Sequence, residues 1–280
     1  MSHIPVMLSE AISFLELHDG MKYLDLTAGF GGHSAEILAK IPHGELYLVD
    51  RDNAAIEHLQ KIFSQSKNVH IVKMNFADMD FSVKFDGILA DLGVSSLQFD
   101  SSERGFSYRF DSPLDLRMDT DEENQLDKLL KLDFKEIAEI IKDNSDEYQA
   151  EEIALVMKRR YSEGKLKTTF DLKHAIIEGK KGKDIKRGLK RTFMALRMFV
   201  NDEKNSLSKM IERVSASLNP SGRFVIITYH SIEDRIVKDY FKERDDMKMI
   251  TKKVIQPSYL EVQSNKRARS AKMRVYEKVS

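Results

Sequence analysis

The sequence predicts an α/β protein in which a doubly wound, mainly parallel sheet is interrupted by a block of helices. Short apolar runs alternate with segments of helical periodicity through the first hundred residues. Only helical periodicity is visible from about residue 105 to 195. An apolar run at 222–231, GRFVIITYHS, then restores the β-α character. We therefore expect the strands before and after the helical block to belong to one sheet.

The first strands are predicted as short apolar runs, and helices are predicted where apolar residues recur at i, i+3 and i+4. Alternation of this kind is typical of parallel strands joined by right-handed crossovers. The expected strands are KYLDL (22–26), ELYLVD (45–50), VHIVKM (69–74) and FDGILADLG (85–93), and the expected helices are HSAEILAKI (33–41) and NAAIEHLQKIFSQ (53–65).

The helical block is predicted from segments that each carry an apolar stripe, several of them led by an Asp or Thr suited to N-capping. These segments are QLDKLLKL, DFKEIAEIIKDN, AEEIALVMKRRYSEG and TFDLKHAIIEG. Because strands occur on both sides of them, we expect an insertion. It divides the chain into a sheet domain of residues 1–104 and 196–280 and a helical domain of residues 105–195.

The last part of the chain is predicted to complete the sheet. One helix is expected over residues 192–218, ended by Asn-Pro-Ser-Gly, and another over IEDRIVKDYFKER. MKMITKKVI and SAKMRVYEKV then predict two closing strands that pair antiparallel.

Composition excludes several classes of protein. With 41% apolar and 9% aromatic residues in 280, the chain can bury a core and is not disordered. It has no cysteine, which excludes disulfides, thiolate zinc sites and cysteine nucleophiles. No apolar run approaches 18 residues and no basic leader is visible, so we expect a cytoplasmic protein without a membrane span.

The net charge of zero hides an uneven distribution. Residues 100–147 hold 15 acids and 7 bases, a net charge of −8. Residues 158–191 hold 13 bases and 4 acids, net +9, and residues 251–280 hold 8 bases and 2 acids, net +6. The two basic segments can hold a polyanion, although solvated helix faces would explain them as well.

A glycine-rich turn follows the first strand, in the sequence GFGGHS. Glycines at 29, 31 and 32 let a ligand approach the backbone, and the next helix offers free N–H groups. The spacing departs from G-x-G-x-x-G because Ser34 holds the third position, which disfavours a nicotinamide or flavin site. A tight turn with no ligand is the alternative.

Polar or aromatic residues also follow the next strands. Asp50 ends the second strand, where a carboxylate can accept both hydroxyls of a ribose, whereas Asp52 is the better N-cap for the following helix. Phe76 follows the third strand and can cover a nucleoside base, or simply belong to the core. The pattern predicts a nucleoside site at the carboxyl edge of the sheet.

The fourth and fifth strand ends add an acid and a histidine. Asp91 ends the fourth strand, and Ser95, Ser96 and Gln98 follow it. His230 ends the fifth strand, where it can accept a proton, stack on a base or begin a helix. No metal site is expected, since no His-x-x-x-His or Glu-x-x-His pattern is visible.

Longer strings carry a resemblance to a known family. The chain closely resembles the bacterial ribosomal RNA small-subunit methyltransferase H (MraW-type) family, in order from His3 to about Lys278. The strings are GFGGHS, LVDRD, ILADLGVSSLQFDSSERGFSYRFDSPLDLRMD, RTFMALRMFVN, TYHSIEDRIVK and NKRARSAKMRV. The resemblance implies a class I S-adenosylmethionine-dependent methyltransferase, with a Rossmann-like doubly wound sheet and an inserted all-helical domain. It also implies methylation of the N4 of a cytidine in the decoding region of 16S ribosomal RNA.

The same resemblance implies the residues of the cofactor site. They are Gly31, Gly32, His33, Asp50, Phe76, Asp91 and Gln98. Asp91 is the catalytic candidate, orienting the amine, although it can instead contact only the methionine end of the cofactor. The sequence departs from the family at Leu97, where proline is common, and in a short segment before RARS.

The implied partner is small-subunit ribosomal RNA, within an assembled or nearly assembled 30S subunit. The alternatives are another RNA, a small molecule, or RNA binding without catalysis. The oligomeric state does not follow from the sequence. We expect RNA contacts at Lys180, Lys181, Lys183, Lys186 and Arg187, and a cytidine pocket formed by Phe106, Tyr108, His230, Ser231 and Arg235.

Overall fold

The computed structural model describes residues 4–80, 82–93, 105–182 and 184–279. These residues form two compact units. The sheet unit combines the chain up to Gly93 with the chain from Lys204 onward, and the helical unit is the part between them, ending at Glu203. Two of the residues predicted from sequence, Gln98 and Lys183, lie outside the described residues.

Within the described residues, the sheet has seven strands in the order β3-β2-β1-β4-β5-β7-β6. Strands β1 to β5 are parallel, and β7 pairs antiparallel with both β5 and β6, which confirms the predicted closing pair. The strands are β1 Lys22–Asp25, β2 Glu45–Asp50, β3 Val69–Lys73, β4 Phe85–Asp91, β5 Leu218–Thr228, β6 Met247–Met249 and β7 Lys272–Lys278.

The helices of the described residues follow the predicted order. In the sheet unit, Asp52 caps α3 by accepting a hydrogen bond from Ala54 N (3.0 Å), as predicted. The helices are α1 Leu8–Leu15, α2 Gly32–Lys40, α3 Asn53–Ile62, α4 Gln125–Lys131, α5 Phe134–Ser145, α6 Ala150–Ser162, α7 Thr169–Lys180, α8 Ile185–Val200, α9 Glu203–Ser217, α10 Ser231–Lys242 and α11 Tyr259–Ser264. None of these described helices is long and apolar enough to cross a membrane.

The central strands are buried on both faces. Side chains alternate between two hydrophobic clusters, with Leu89 and Val225 in one and Ile88 and Phe224 in the other. This arrangement explains the near-continuous apolar runs in the sequence, because a parallel sheet covered by helices on both sides has no polar face. The acids Asp25, Asp50 and Asp91 therefore lie where their strands end.

The single helix predicted over 192–218 is wrong. The structure has two helices there, α8 and α9, separated at Asn201 and Asp202. Asn201 Nδ2 donates to Leu116 O (2.8 Å) and its Oδ1 accepts from Met118 N (2.7 Å), while Asp202 has a left-handed φ of 48°. These contacts are distant in sequence, so periodicity does not reveal them. The predicted domain boundary at 195 consequently falls inside α8, whose residues belong to the helical core.

Candidate active site

In the turn between β1 and α2, Gly31 and Gly32 are required by the packing of neighbouring side chains. A Cβ on Gly31, whose φ is 78°, would lie 2.8 Å from Ile62 Cδ1, and one on Gly32 would lie 2.4 Å from Pro5 Cγ. Gly29, with φ 52°, has only one neighbouring atom within 4 Å of such a Cβ, at 3.8 Å. Of the three glycines predicted to let a ligand approach the backbone, Gly29 is the one with open space beside it. The contact of Gly31 and Gly32 with the cofactor stays a prediction.

His33 forms part of the wall behind this turn. Its side chain is buried, and Nε2 lies 3.1 Å from Val6 O, which can only accept, so this nitrogen carries the hydrogen. Next to it, buried Asp25 accepts from Ser34 Oγ (2.7 Å) and Thr27 N (3.2 Å). Burial raises the pKa of Asp25 above its ordinary value. His33 is thus fixed in place, while Asp25 joins the strand end to α2.

Asp50 joins the end of β2 to the glycine turn. Its Oδ2 accepts from Gly29 N (2.8 Å) and its Oδ1 from Asp52 N (2.9 Å). Burial raises the pKa of Asp50 to about 6, against the effect of these hydrogen bonds. The residue is only partly buried, and each carboxylate oxygen has a second lone pair. It can therefore still accept the hydroxyls of a ribose.

Phe76 lies directly after β3, beside the same strand end. Met74 N donates to Asp50 O (3.0 Å), and Asn75 caps a 3₁₀ turn that contains Phe76 by accepting from Ala77 N (3.0 Å). The Phe76 ring is partly buried against the cluster that contains Ile88. It packs on the core and keeps part of its surface exposed, and its base-covering role stays a prediction.

Asp91 at the end of β4 is held by a residue that sequence reasoning missed. Tyr229 Oη donates to Asp91 Oδ1 (2.7 Å), and Asp91 N donates to Thr27 Oγ1 (2.6 Å). Gly93 permits this arrangement, because a Cβ there would lie 2.8 Å from Tyr229 Cε2. Burial, together with the charge of Asp91, raises the pKa of Tyr229 well above its ordinary value. The only signal in the sequence was a tyrosine next to His230.

His230 begins helix α10. The Nδ1 of His230 accepts from Glu233 N (3.3 Å), and Glu233 Oε2 accepts from His230 N (3.3 Å), which forms a capping box. The same Oε2 also accepts from Tyr229 N (2.8 Å). The His230 Nε2 lies 2.9 Å from Glu233 Oε1, but the two atoms are not aligned for a hydrogen bond. Of the three roles considered for His230, the helix-start role is confirmed. Ser231 and Arg235, on the same helix, are exposed.

Comparison with known proteins shows which family the chain belongs to. Residues 1–279 match the model of the MraW methylase family. The chain belongs to this family. It is 38% identical over 308 residues to the ribosomal RNA small subunit methyltransferase H of Halothermothrix orenii, covering 100% of this chain and 99% of that one. It is also 38% identical over 309 residues to the protein of that name from Mesoplasma florum, covering 99% of each chain.

The fold of this MraW-family chain is that of class I S-adenosylmethionine-dependent methyltransferases. A solved structure of a Streptococcus mutans protein, described as a methyltransferase in complex with SAH, matches it with a TM-score of 0.51. The match covers 99% of this chain and 100% of that one at 12% identity, a level that supports the fold alone. The chain is accordingly an S-adenosylmethionine-dependent methyltransferase.

In the helical unit of the methylase, much of the positive charge of residues 158–191 is used internally. Lys158 Nζ donates to the carbonyl oxygens at the end of α4, including Leu130 O (3.1 Å) and Leu132 O (2.6 Å). Arg159 and Arg160 both pair with Glu178. Part of the segment's positive charge therefore stabilises the helices and is not free for a polyanion.

The assignment of Lys180 to an RNA contact is wrong. Its side chain is 1% exposed and its Nζ lies 2.8 Å from Glu147 Oε1, in a carboxylate that is 0% exposed. The Tyr148 ring centroid lies 4.3 Å from the same Nζ, and a Cβ on Gly188 would lie 2.8 Å from Lys180 Cδ. The spacing of basic residues gave no sign of this, because Glu147 is distant in sequence.

Other predicted RNA contacts do lie at the surface of the helical unit. Lys181, Lys186 and Arg187 are exposed, although Arg187 Nη1 lies 3.2 Å from Asp184 Oδ2. Lys190 is also exposed and was not predicted. These side chains follow the last turn of α7 or lie on the first turns of α8, so they occupy a short part of the chain.

The two aromatic residues predicted for a cytidine pocket are at least partly packed in the helical unit. Phe106 is 4% exposed. Tyr108 is partly buried against the helical core, with its ring centroid 5.6 Å from that of Phe193 in an edge-to-face contact. Their part in a cytidine pocket stays a prediction.

Proposed function

We propose that this methylase transfers a methyl group from S-adenosylmethionine to the exocyclic N4 of a cytidine in the decoding region of small-subunit ribosomal RNA. The names of the relatives support the RNA substrate. One feature of the site carries the chemistry: Asp91 ends β4, and Tyr229 holds one of its carboxylate oxygens. The assembled or nearly assembled 30S subunit is the form of substrate we propose.

The residues at the sheet edge fit the methyl donor. Asp50 retains lone pairs for ribose hydroxyls, and the open space at Gly29 lets a ligand approach the backbone. Phe76 keeps exposed ring surface for the adenine. When bound, S-adenosylmethionine supplies an electrophilic methyl group on a cationic sulfur. The carboxylate of Asp91, at the end of β4, suits that positive charge.

The acceptor amine needs help from the protein, because its lone pair is delocalised into the cytosine ring. Asp91 Oδ1 accepts from Tyr229, while Oδ2 accepts no hydrogen bond from the residues that the structure describes. Oδ2 can accept an N–H of the amine and orient its lone pair. As the N–C bond forms, the bond between the methyl carbon and sulfur breaks and its electron pair stays on sulfur as a neutral thioether. The amine loses a proton, which Asp91 can take and pass to water.

The chemistry of the chain also favours nitrogen over ring carbon as the acceptor. Methylation at a cytosine ring carbon is activated by a covalent adduct with a thiolate nucleophile. This chain has no cysteine, so that route is excluded. Transfer to an exocyclic amine needs only orientation, a hydrogen-bond acceptor and exclusion of water.

The target base must leave its stack to reach this edge. Exposed Lys181, Lys186 and Arg187 supply positive charge for holding the RNA backbone. To test the substrate, purified small subunits, large subunits and free cytidine are incubated with the enzyme and methyl-labelled S-adenosylmethionine. We expect label in small-subunit RNA alone. Label in free cytidine, or in none of the three, would contradict the proposal.

The role of Asp91 is tested separately with Asp91→Ala. If Asp91 orients the amine, the single-turnover rate at saturating S-adenosylmethionine falls by about two orders of magnitude, as for loss of a key acceptor. Cofactor affinity is measured on the same variant by calorimetry. Lost affinity with an unchanged single-turnover rate would restrict Asp91 to cofactor binding.

A further inference from the structure

The C-terminal segment of the sheet unit presents large apolar side chains that the proposed site does not use. On helix α11, Tyr259 is 75% exposed and Leu260 is 77% exposed. Adjacent exposed apolar residues of this size are typical of a binding surface. The segment that carries them, residues 251–280, is also one of the two basic segments.

This surface adjoins a cavity that includes a residue of the candidate active site. A cavity of about 420 Å³ is lined by residues that include Tyr229, Ser231, Val262 and Arg269. Tyr229 is the residue that holds Asp91, so the cavity and the site share a side chain. Val262 lies three residues after Tyr259, on the same side of α11. The helix that carries Tyr259 therefore borders the cavity.

The charges of the segment leave a positive surface. Its acids are both engaged, since Glu261 Oε1 accepts from Met7 N (2.6 Å) and Glu277 pairs with Arg223 (3.3 Å). Arg269, by contrast, is exposed and forms no ion pair with any residue that the structure describes. The same holds, within the described residues, for Lys252, Lys253 and Lys266.

Tyr259 is held in a defined position. Its Oη accepts from Gln263 Nε2 (2.7 Å), and Ser258 caps α11 by accepting from Glu261 N (3.1 Å). Asn265 Nδ2, just after the helix, donates to Ile4 O (3.1 Å). A ring that is fixed before binding loses little conformational entropy when a partner stacks on it.

We propose that this C-terminal face binds an unpaired stretch of RNA beside the acceptor nucleotide, with one base stacked on Tyr259 and the backbone near Arg269. The inference rests on the proposed function, because it assigns a surface to the same substrate. Stacking on an aromatic ring tolerates any base and depends little on salt. Phosphate contacts depend on salt and carry no sequence information. The two contributions can therefore be measured separately.

The test measures binding of a fluorescent oligocytidine of about ten nucleotides at several salt concentrations, using the full chain. Tyr259→Ala should weaken binding by about tenfold with an unchanged salt slope. Tyr259→Phe keeps the ring but loses the hydrogen bond from Gln263, so it should bind more tightly than Tyr259→Ala and slightly more weakly than the wild type. Arg269→Gln should lower the slope by about 0.7, the value for one single-strand phosphate contact. Leu155→Ala, which removes an exposed apolar side chain on helix α6 of the helical unit, is the control and should change nothing.

Wild-type binding by Tyr259→Ala would overturn the inference. So would a loss of methyl transfer to small subunits with intact oligocytidine binding, since that result assigns the face to a protein partner. S-adenosylmethionine affinity, unchanged in every variant, shows that the fold is intact. If the wild type methylates small subunits, failure of the Tyr259 test counts against this surface alone. If the wild type does not methylate small subunits, the proposed function is wrong, and the oligocytidine measurements still test the RNA surface by themselves.

Discussion

The sheet edge and the basic stretch of the helical unit hold their charged side chains in different ways. At the sheet edge, Asp50 and Asp91 end strands of one parallel sheet, and each still has capacity to accept a hydrogen bond. In the helical unit, Lys158 and Lys180 look in sequence like their exposed neighbours but are bound within the protein. The strand-end positions of Asp50 and Asp91 predicted correctly that these acids can still accept a hydrogen bond. The count of basic residues did not predict which lysines are exposed.

The physical reason is that parallel topology fixes where strands end. The carboxyl ends of β1, β2 and β4 meet at one edge, so acids there are brought to a common place by the backbone. The use of a lysine on a helix is decided instead by which acid the tertiary fold places beside it. Four predictions sharpen this difference, from the largest expected effect to the smallest.

The largest effect is expected from breaking the buried pair. Lys180→Met leaves Glu147 buried without its cation, and we expect the free energy of unfolding to fall by about 3–5 kcal/mol. Urea denaturation measures it. Lys181→Met, one residue away but exposed, is the control and should leave stability unchanged. Equal stability of the two variants would contradict the claim that the buried Lys180 stabilises the fold while the exposed Lys181 does not.

At the sheet edge, Asp50→Asn should act on binding. Replacing the carboxylate removes charged acceptors for the ribose, and we expect S-adenosylmethionine affinity to fall roughly 10- to 100-fold, as for loss of a hydrogen bond to a charged group. Asp52→Asn is the matched control, because asparagine caps a helix as well as aspartate does. Calorimetry decides. A comparable loss in both variants would indicate a general disturbance of the β2 end.

The pH dependence of cofactor binding should follow from the same residue. Burial raises the pKa of Asp50 to about 6, so the carboxylate is ionised above that pH and protonated below it. A ligand that needs the carboxylate binds more weakly as the pH falls, by about tenfold between pH 7 and pH 5. Asp50→Asn should bind with little dependence on pH over this range. A wild-type affinity that rises towards pH 5 would refute the assignment.

The smallest effect per residue is expected at the exposed cations. Replacing Lys181, Lys186 and Arg187 together by Gln should weaken RNA binding and lower the salt slope by about 2, because each bound phosphate contributes somewhat less than one to that slope. S-adenosylmethionine affinity should not change. Binding measured against salt concentration tests this. An unaltered slope would remove the helical unit's basic surface from the RNA interface.

Much of the sheet could be predicted from the sequence, because apolar runs report burial on both faces. Strand β2 begins and ends at the predicted residues, and Asp52 caps α3 as expected. The break between α8 and α9 could not be predicted, because it depends on Asn201 binding the backbone near residue 116. Local periodicity contains no information about such contacts.

The candidate site shows the same division. The strand-end positions of Asp50, Phe76 and Asp91 follow from the sequence, but their partners do not. Tyr229 became visible only when β4 and β5 were placed side by side. The packing reason for Gly31 likewise required α3 to lie against the turn.

The chemical position of the transferred methyl group tests the central claim most directly. Small subunits methylated by the enzyme are digested to nucleosides, and the product is identified by mass spectrometry against synthetic standards. We expect a cytidine methylated on its exocyclic nitrogen, because Asp91 can accept a hydrogen of the amine and the chain has no cysteine for attack on the ring. A methyl group on a ring carbon or on a ribose oxygen would contradict the account.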